Sequence, residues 1–375
     1  MTFLHRERAT LEAFMPGLDA ALAEHPLDRL ESAPSPAVQA FRTAGGPGLL
    51  VPAAYGGPGA TPLQAVRVQR AVGARCPSLA VATTMHHFSV AGLVRVGSPD
   101  GPEHALLEAI ARDGLLLASG FAEGRAGQNI LKPHITAERR GDLVVLNGSK
   151  MPCSLSRSMD LLTASVTMTD ADGVERLAVA LIPAQSPGLT VRPFWRTPVL
   201  AGAESDEVVL TEVMLAPEQV VLTEVTADAV PDSLNVAGFL WFELLLTAGY
   251  LGIASALVER VLNRAGGGAD DPTTYLVDIE AAMLAVEAVA RAMADEEWTD
   301  ALLVAALQAR YAAQDAIART TATCLAALGG MAFITSSEGS YLASAATGLT
   351  FHPPARGRMA GPLRDFLHGR PLRIG

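Results

Sequence analysis

Cysteine is scarce in this chain: three in 375 residues, at Cys76, Cys153 and Cys324, with no CxxC spacing. That excludes a disulfide framework and a thiolate metal centre, so no metal site is expected. It fits free thiols in a reducing cytoplasm, where the chain is expected to reside. Positive charge is also short. Lys and Arg number 28 against 39 Asp and Glu, a net charge of -11. Without a basic stripe to neutralise phosphates, no nucleic-acid partner is expected. The opening MTFLHRERATLEAF lacks an apolar h-region, so no signal peptide is expected. A long uninterrupted apolar run is missing too. The densest, Val236 to Ala256, carries Glu243 near its middle and runs into Glu259 and Arg260. It reads as a buried helix rather than a span, and no membrane partner is expected.

What is present is an apolar chain, 50% hydrophobic and only 18% charged, with aromatics at 5%. The length allows two or three domains and a large core. Three textures follow one another. Residues 1–113 are helical: Leu11, Phe14, Met15, Leu18 and Leu22 share one helical face, and further helices are expected after Pro62, over His87–Val96 and near Glu103–Arg112. Residues 114–228 hold short β-rich runs between turn formers: LLLASGF, HITAERR, DLVVLNG, DLLTASVTM, RLAVALIPA, GLTVRPF and SDEVVLTEVML. Asn147-Gly148 reads as a turn. Residues 229–375 are helical again. A long helix reaches Leu262 and breaks at Gly266-Gly267-Gly268. The next starts near Asp270-Asp271-Pro272 and carries a Glu287–Arg291 pair at i,i+4. A third stops at Gly329-Gly330. The tail from Phe351 is expected to be turn-rich and basic. The fold class is therefore α+β: an N-terminal helical domain, a central antiparallel β domain and a C-terminal helical bundle.

Several segments carry a family resemblance. Leu50-Val51-Pro52 with Tyr55-Gly56-Gly57-Pro58-Gly59 is similar to a (V/I)P-x-x-(Y/F)GG-x-G turn. Phe121-Ala122-Glu123-Gly124-Arg125-Ala126-Gly127-Gln128-Asn129 stands where (V/L)TEPxAGSD is usual. Thr136 to Lys150 is similar to TxAxxxGDxxxLNGxK, Val208 to Pro217 to a sheet-closing V-x-V-P segment, and Leu328-Gly329-Gly330 to Q-x-x-GG. In this order they resemble the acyl-CoA dehydrogenase family over nearly the whole chain. The resemblance implies FAD between the β domain and the C-terminal helices, with Phe121, Ala122, Gln128, Ser154, Gly329 and Gly330 at the cofactor. It implies an acyl thioester substrate, on CoA or an acyl carrier protein, whose α-proton goes to a base as hydride leaves the β-carbon. A homodimer or homotetramer is the implied assembly.

The departures matter as much. The family's flavin-binding Thr is Ala122, its Ser is Gln128, and its W-x-T/S is Pro152-Cys153-Ser154. The Arg-x-x-Phe-Gly segment that grips the FAD pyrophosphate is absent from Leu262 to Tyr275, where Arg264 is the one cation, and the Gln of Q-x-x-GG is Ala326. The usual catalytic Glu falls at Pro353. Two replacements are expected as base: Glu243, one residue from the alternative position at Phe242, and His352 on the usual base loop. The competing reading of Glu243 is a structural tie to Arg67 or Arg70, and that of His352 a plain turn histidine. His87, with His86, and Phe242 are expected to face the substrate; for the histidines, core hydrogen bonds are the competing use. Arg356, Arg358 and Arg364 meet a CoA phosphate or form a solvated tail. Three functions follow: a dehydrogenase of acyl thioesters, a monooxygenase using reduced flavin and oxygen, or a cofactor-free acyl-binding protein, cyclase or isomerase.

Overall fold

The computed structural model describes residues 2–97, 101–125, 128–226, 230–264, 273–295 and 298–374. The N-terminal helices are α1 (His5–Phe14), α2 (Leu18–Ala23), α3 (Leu27–Leu30), α4 (Pro36–Thr43), α5 (Pro62–Arg75), α6 (Pro77–Val96) and α7 (Pro102–Asp113). The single helical face expected over Leu11–Leu22 is split between α1 and α2. Pro16 removes a donor and Gly17 turns left-handed at φ 79°. Helix α5 starts from a capping box in which Thr61 and Gln64 satisfy each other's backbone N–H, with Pro62 at its first position. Pro77 likewise begins α6.

The strands are β1 (Leu117–Gly120), β2 (Thr136–Arg140), β3 (Leu143–Cys153), β4 (Leu161–Thr169), β5 (Glu175–Pro183), β6 (Leu189–Arg192), β7 (Asp206–Leu215) and β8 (Val220–Leu222). They form one sheet in the order β6-β7-β3-β2-β4-β5-β8, with β1 added beside β4. The sheet is mostly antiparallel, but β4 runs parallel to both β1 and β2. Gly141-Asp142 closes the β2–β3 hairpin as a two-residue turn. Asn147-Gly148, expected as a turn, lies inside β3 at a register shift against β7. Gly148 takes φ 141° there, and the Asn147 amide exchanges hydrogen bonds with Glu212 at 2.6 and 2.8 Å, so the pair makes a bulge instead.

The C-terminal helices are α8 (Ser233–Leu262), α9 (Thr273–Asp295), α10 (Asp300–Thr335), α11 (Glu338–Ala346) and α12 (Arg356–Leu367). Helix α8 is the axis of the molecule, packed against α5, α6, α9, α10 and α11. Its crossing with α5 depends on missing side chains. A Cβ on Gly73 would come within 2.1 Å of the Gly249 carbonyl oxygen, and one on Gly252 within 2.2 Å of the Arg70 carbonyl oxygen. α8 and α10 are both long and apolar enough to cross a membrane by composition, yet the apolar window of α8 is 89% buried inside the protein. Gly329, with a non-helical φ of 78°, breaks α10 where the Gly-Gly stop was expected and a further helical stretch runs on to Thr335, while the tail expected to be turn-rich contains α12. The Gly266–Gly268 break and the Asp270–Pro272 start lie outside the described residues.

Candidate functional site

A cavity of ≈ 710 Å³ lies where the β domain meets α6 and α8. Its β-side wall is Ser119, Phe121, Ala122, Gln128, Met151, Pro152, Ser154 and Thr163; its helical wall includes Met85, Phe88, Ser89, Phe239, Phe242, Tyr250 and His352. The β-side residues are brought together by one buried ion pair behind them. Lys150 Nζ lies 2.8 Å from Glu123 Oε1, and both side chains are buried. Glu123 also accepts from the His134 backbone N–H at 2.9 Å. The Ala122 carbonyl accepts from the Met151 N–H at 2.9 Å, which seats the Phe121–Gly124 segment against Met151 and Pro152. Burial alone would raise the Glu123 carboxyl, but Lys150 and His134 hold it below the usual carboxylate range.

A second ion pair stands behind the helical wall. Arg310 of α10 donates through Nη1 to Glu243 Oε1 and Oε2 at 2.9 and 2.8 Å, and neither side chain reaches solvent. Nη2 of the same guanidinium donates to the carbonyls of Leu349 and His352, and Nη1 to that of Pro353. One side chain thus fastens the 347–354 loop to α8 and α10. Burial pushes the Glu243 carboxyl up against the pull of Arg310. The expected partners Arg67 and Arg70 are occupied elsewhere, by Glu287 and by Glu7 and Glu280. Glu287 does pair with Arg291 at 2.8 Å, though as a buried carboxylate.

The cavity wall therefore receives only some of the expected residues. Phe121, Ala122, Gln128, Ser154, Phe242 and His352 are on it. Glu243 is not: its carboxylate is one layer behind, consumed by Arg310. His87 is not either. It is wholly buried against Phe41 and His86, with no partner for either ring nitrogen among the described residues. His86 is structural: Nε2 meets the Pro47 carbonyl at 2.9 Å and Nδ1 accepts from the Leu117 N–H at 3.1 Å. Gly329 and Gly330 lie away from the wall, at the bend of α10. Arg264 donates to the Ala327 carbonyl, and most of the 262–275 stretch, where the family's pyrophosphate grip is missing, lies outside the described residues.

His352 has its Nε2 2.9 Å from the Tyr250 hydroxyl. Burial and the nearby Arg310 pull its imidazole down to about 3, so it is neutral at pH 7 and a weak proton acceptor. Among the described residues, no Asp or Glu contributes to the wall, and Arg125, exposed at the mouth, is its one formal charge. Ser89, Ser119, Thr163, Tyr250 and Arg310 were not singled out from the sequence. An arginine inside the apolar Leu303–Ile317 run was the available signal for a buried counter-charge to Glu243.

The layered helix–sheet–helix architecture with a cavity at the β-domain seam is that of acyl-CoA dehydrogenase-fold proteins. Residues 8–113 match the acyl-CoA dehydrogenase N-terminal domain. The chain is 48% identical over 379 residues to isobutylamine N-hydroxylase of Streptomyces viridifaciens, covering 100% of both. It superposes with a TM-score of 0.84 on TdsC from Paenibacillus sp. A11-2, solved with FMN and indole, at 20% identity over 99% of each chain. The prolyl acyl carrier protein oxidase AnaB superposes at 0.82, with 18% identity over 97% of this chain and 99% of that one. The chain belongs to the acyl-CoA dehydrogenase family.

Proposed function

We propose that this protein is a flavin-dependent oxidoreductase that N-hydroxylates a small aliphatic primary amine. The observation that carries the reading is a wall that holds no carboxylate among the described residues. Abstraction of a thioester α-proton needs a base at the substrate. Glu243 is spent on Arg310 and His352 is held neutral as a weak base. Oxygen transfer to nitrogen needs no such base, because the amine lone pair is the nucleophile. The identity to isobutylamine N-hydroxylase over the whole chain supports the same chemistry.

The residues present fit a flavin. A planar heteroaromatic ring needs apolar faces and a few polar edge groups. Phe121, Met151 and Pro152 supply the faces, Gln128 and Ser154 the edges, and Arg125 at the mouth suits a phosphate. A reduced flavin bound there would supply the two electrons with which dioxygen gives one oxygen atom to nitrogen and releases the other as water. In sum, amine, dioxygen and reduced flavin become hydroxylamine, water and oxidised flavin. Phe88, Phe239 and Phe242 exclude bulk water and hold the alkyl group. Tyr250 orients His352, and Arg310 fixes the loop that presents it. Self-association of the chain, as a homodimer or homotetramer, is supported by the apolar end of α10, where Met331, Phe333 and Ile334 are exposed.

The test supplies purified protein with a flavin, a flavin reductase, NADH, oxygen and isobutylamine. N-isobutylhydroxylamine, detected by mass spectrometry and dependent on flavin, is expected. Absence of that product, with oxidation of isobutyryl-CoA to its enoyl thioester instead, would return the protein to the dehydrogenases.

A further inference from the structure

Three hydroxyls meet at one place on the cavity wall. Ser89 comes from α6, Ser119 from β1 and Thr163 from β4, and all three are buried at the cavity. Ser119 and Thr163 are register partners in the parallel β1–β4 pair. Ser89 Oγ and Thr163 Oγ1 are 2.9 Å apart. Each also reaches a backbone carbonyl at 3.0 Å, Ser89 that of Met85 and Thr163 that of Ala118. These contacts fix both rotors but leave lone pairs unspent. The Ser119 hydroxyl has no protein partner among the described residues, although its residue is only 7% exposed. The cluster therefore offers one free donor and several acceptor sites on a mostly apolar wall.

We propose that Ser89, Ser119 and Thr163 form the head-group subsite of the substrate, and that it admits the amine only as the uncharged free base. This rests on the amine-hydroxylating reading above. A neutral amine has one lone pair for the Ser119 O–H and two N–H groups for the spare oxygens. An ammonium has three donors, no acceptor and a charge that needs a counter-ion when buried.

Among the described residues, no counter-ion faces the cluster. On α6 the nearest titratable groups are His86 and His87, both buried and both held neutral. Asp160, just before β4, is bound to the Leu116 N–H and Arg42. On β3, Lys150 is paired with Glu123, and burial pushes the Cys153 thiol up to about 12. From α8, Glu243 is held by Arg310, and Tyr250 is a neutral phenol whose pKa burial raises. Across the cavity stand neutral His352 and, at the mouth, the cationic Arg125. The substrate therefore leaves its proton with bulk solvent before entry.

The consequence is a pH dependence that sits in binding. A primary alkylammonium has a pKa near that of lysine, about 10.4, so roughly one molecule in 2,500 is free base at pH 7. Isothermal titration of the purified protein, with oxidised flavin added, should show the apparent Kd of isobutylamine falling about tenfold per pH unit from pH 7 to 9. Isobutanol, a neutral isostere, should bind with constant Kd, and isobutyltrimethylammonium should not bind. In Ser119→Ala, isobutylamine and isobutanol should both weaken about fivefold while flavin affinity stays unchanged. An isobutylamine Kd that is flat with pH, or a bound trimethylammonium, overturns the free-base inference and leaves amine hydroxylation standing. Weakened flavin binding with unchanged amine affinity in Ser119→Ala overturns the subsite. No amine binding at any pH, together with no hydroxylamine product, overturns both this inference and the reading beneath it.

Discussion

The two sides of the cavity are built on the same plan with different materials. Behind the β-side wall lies Lys150–Glu123, and behind the helical wall lies Arg310–Glu243. Each pair is buried, and each sets the position of wall residues without presenting charge to the cavity. They differ in what they tie. Glu123 and Lys150 join neighbouring strands and a local turn, helped by His134. Arg310 joins α8, α10 and the 347–354 loop through a single guanidinium, so three elements depend on one side chain. On the helical side, the carboxylate expected as a base is thus a structural anchor.

The strongest way to break that comparison is to remove one partner of the helical pair. Arg310→Met should cost about 3–5 kcal/mol of stability, because Glu243 is left buried and uncompensated. Denaturant unfolding monitored by circular dichroism checks it. The double change Glu243→Leu with Arg310→Met should recover most of that loss, while the loop contacts to Leu349, His352 and Pro353 stay lost. On the β side, Lys150→Met should cost less, about 2–3 kcal/mol, because Glu123 keeps the His134 and Ile135 N–H donors. Equal losses on the two sides would contradict the difference drawn between them.

Acid should separate the two sides by pH window. His86 and His352 are pulled down to about 4 and about 3 by burial. Between their ordinary value near 6.5 and these folded values, the unfolded chain binds more protons than the folded one. Stability is therefore full above pH 6.5 and falls as pH drops toward 4, by roughly 3 kcal/mol for His86 alone. Glu123, held below its ordinary value, keeps its full contribution above the normal carboxylate range and loses it as pH falls through that range and below. The expected result is a urea midpoint that declines from pH 6.5 to 4.5, with a shallower decline in His352→Gln. A midpoint constant over that range would mean the histidines are not held neutral.

The same division governs what could be read from sequence. Phe121, Ala122, Gln128 and Ser154 ride on one continuous hairpin motif, so their place beside the cavity was legible. Glu243 was legible as a buried carboxylate, but its partner lies 67 residues away on another helix, and no local pattern connects them. Asn147-Gly148 carries a turn signature, yet a bulge uses the same left-handed freedom. The hydroxyl cluster was invisible because Ser89, Ser119 and Thr163 meet only through the parallel register of β1 with β4 and the packing of α6 on β1. His87 packs against Phe41 and His86 instead of the cavity for a related reason: helical phase is set by packing.

The smallest expected effect sharpens the comparison by leaving the layer behind the wall. Glu287 of α9 is as buried as Glu243, but it is held by two arginines, Arg67 at 2.8 Å and Arg291 at 2.8 Å. The Arg291 side chain is 49% exposed, one turn along the same helix, so water already shares its charge. Arg291→Ala should cost only about 0.3–0.5 kcal/mol, the range of an exposed i,i+4 pair, because Arg67 still neutralises the carboxylate. Thermal unfolding of the variant should move by a degree or two at most. A loss approaching that of Arg310→Met would mean that the buried carboxylate, rather than the number of elements its partner ties together, sets the energetic weight of these pairs.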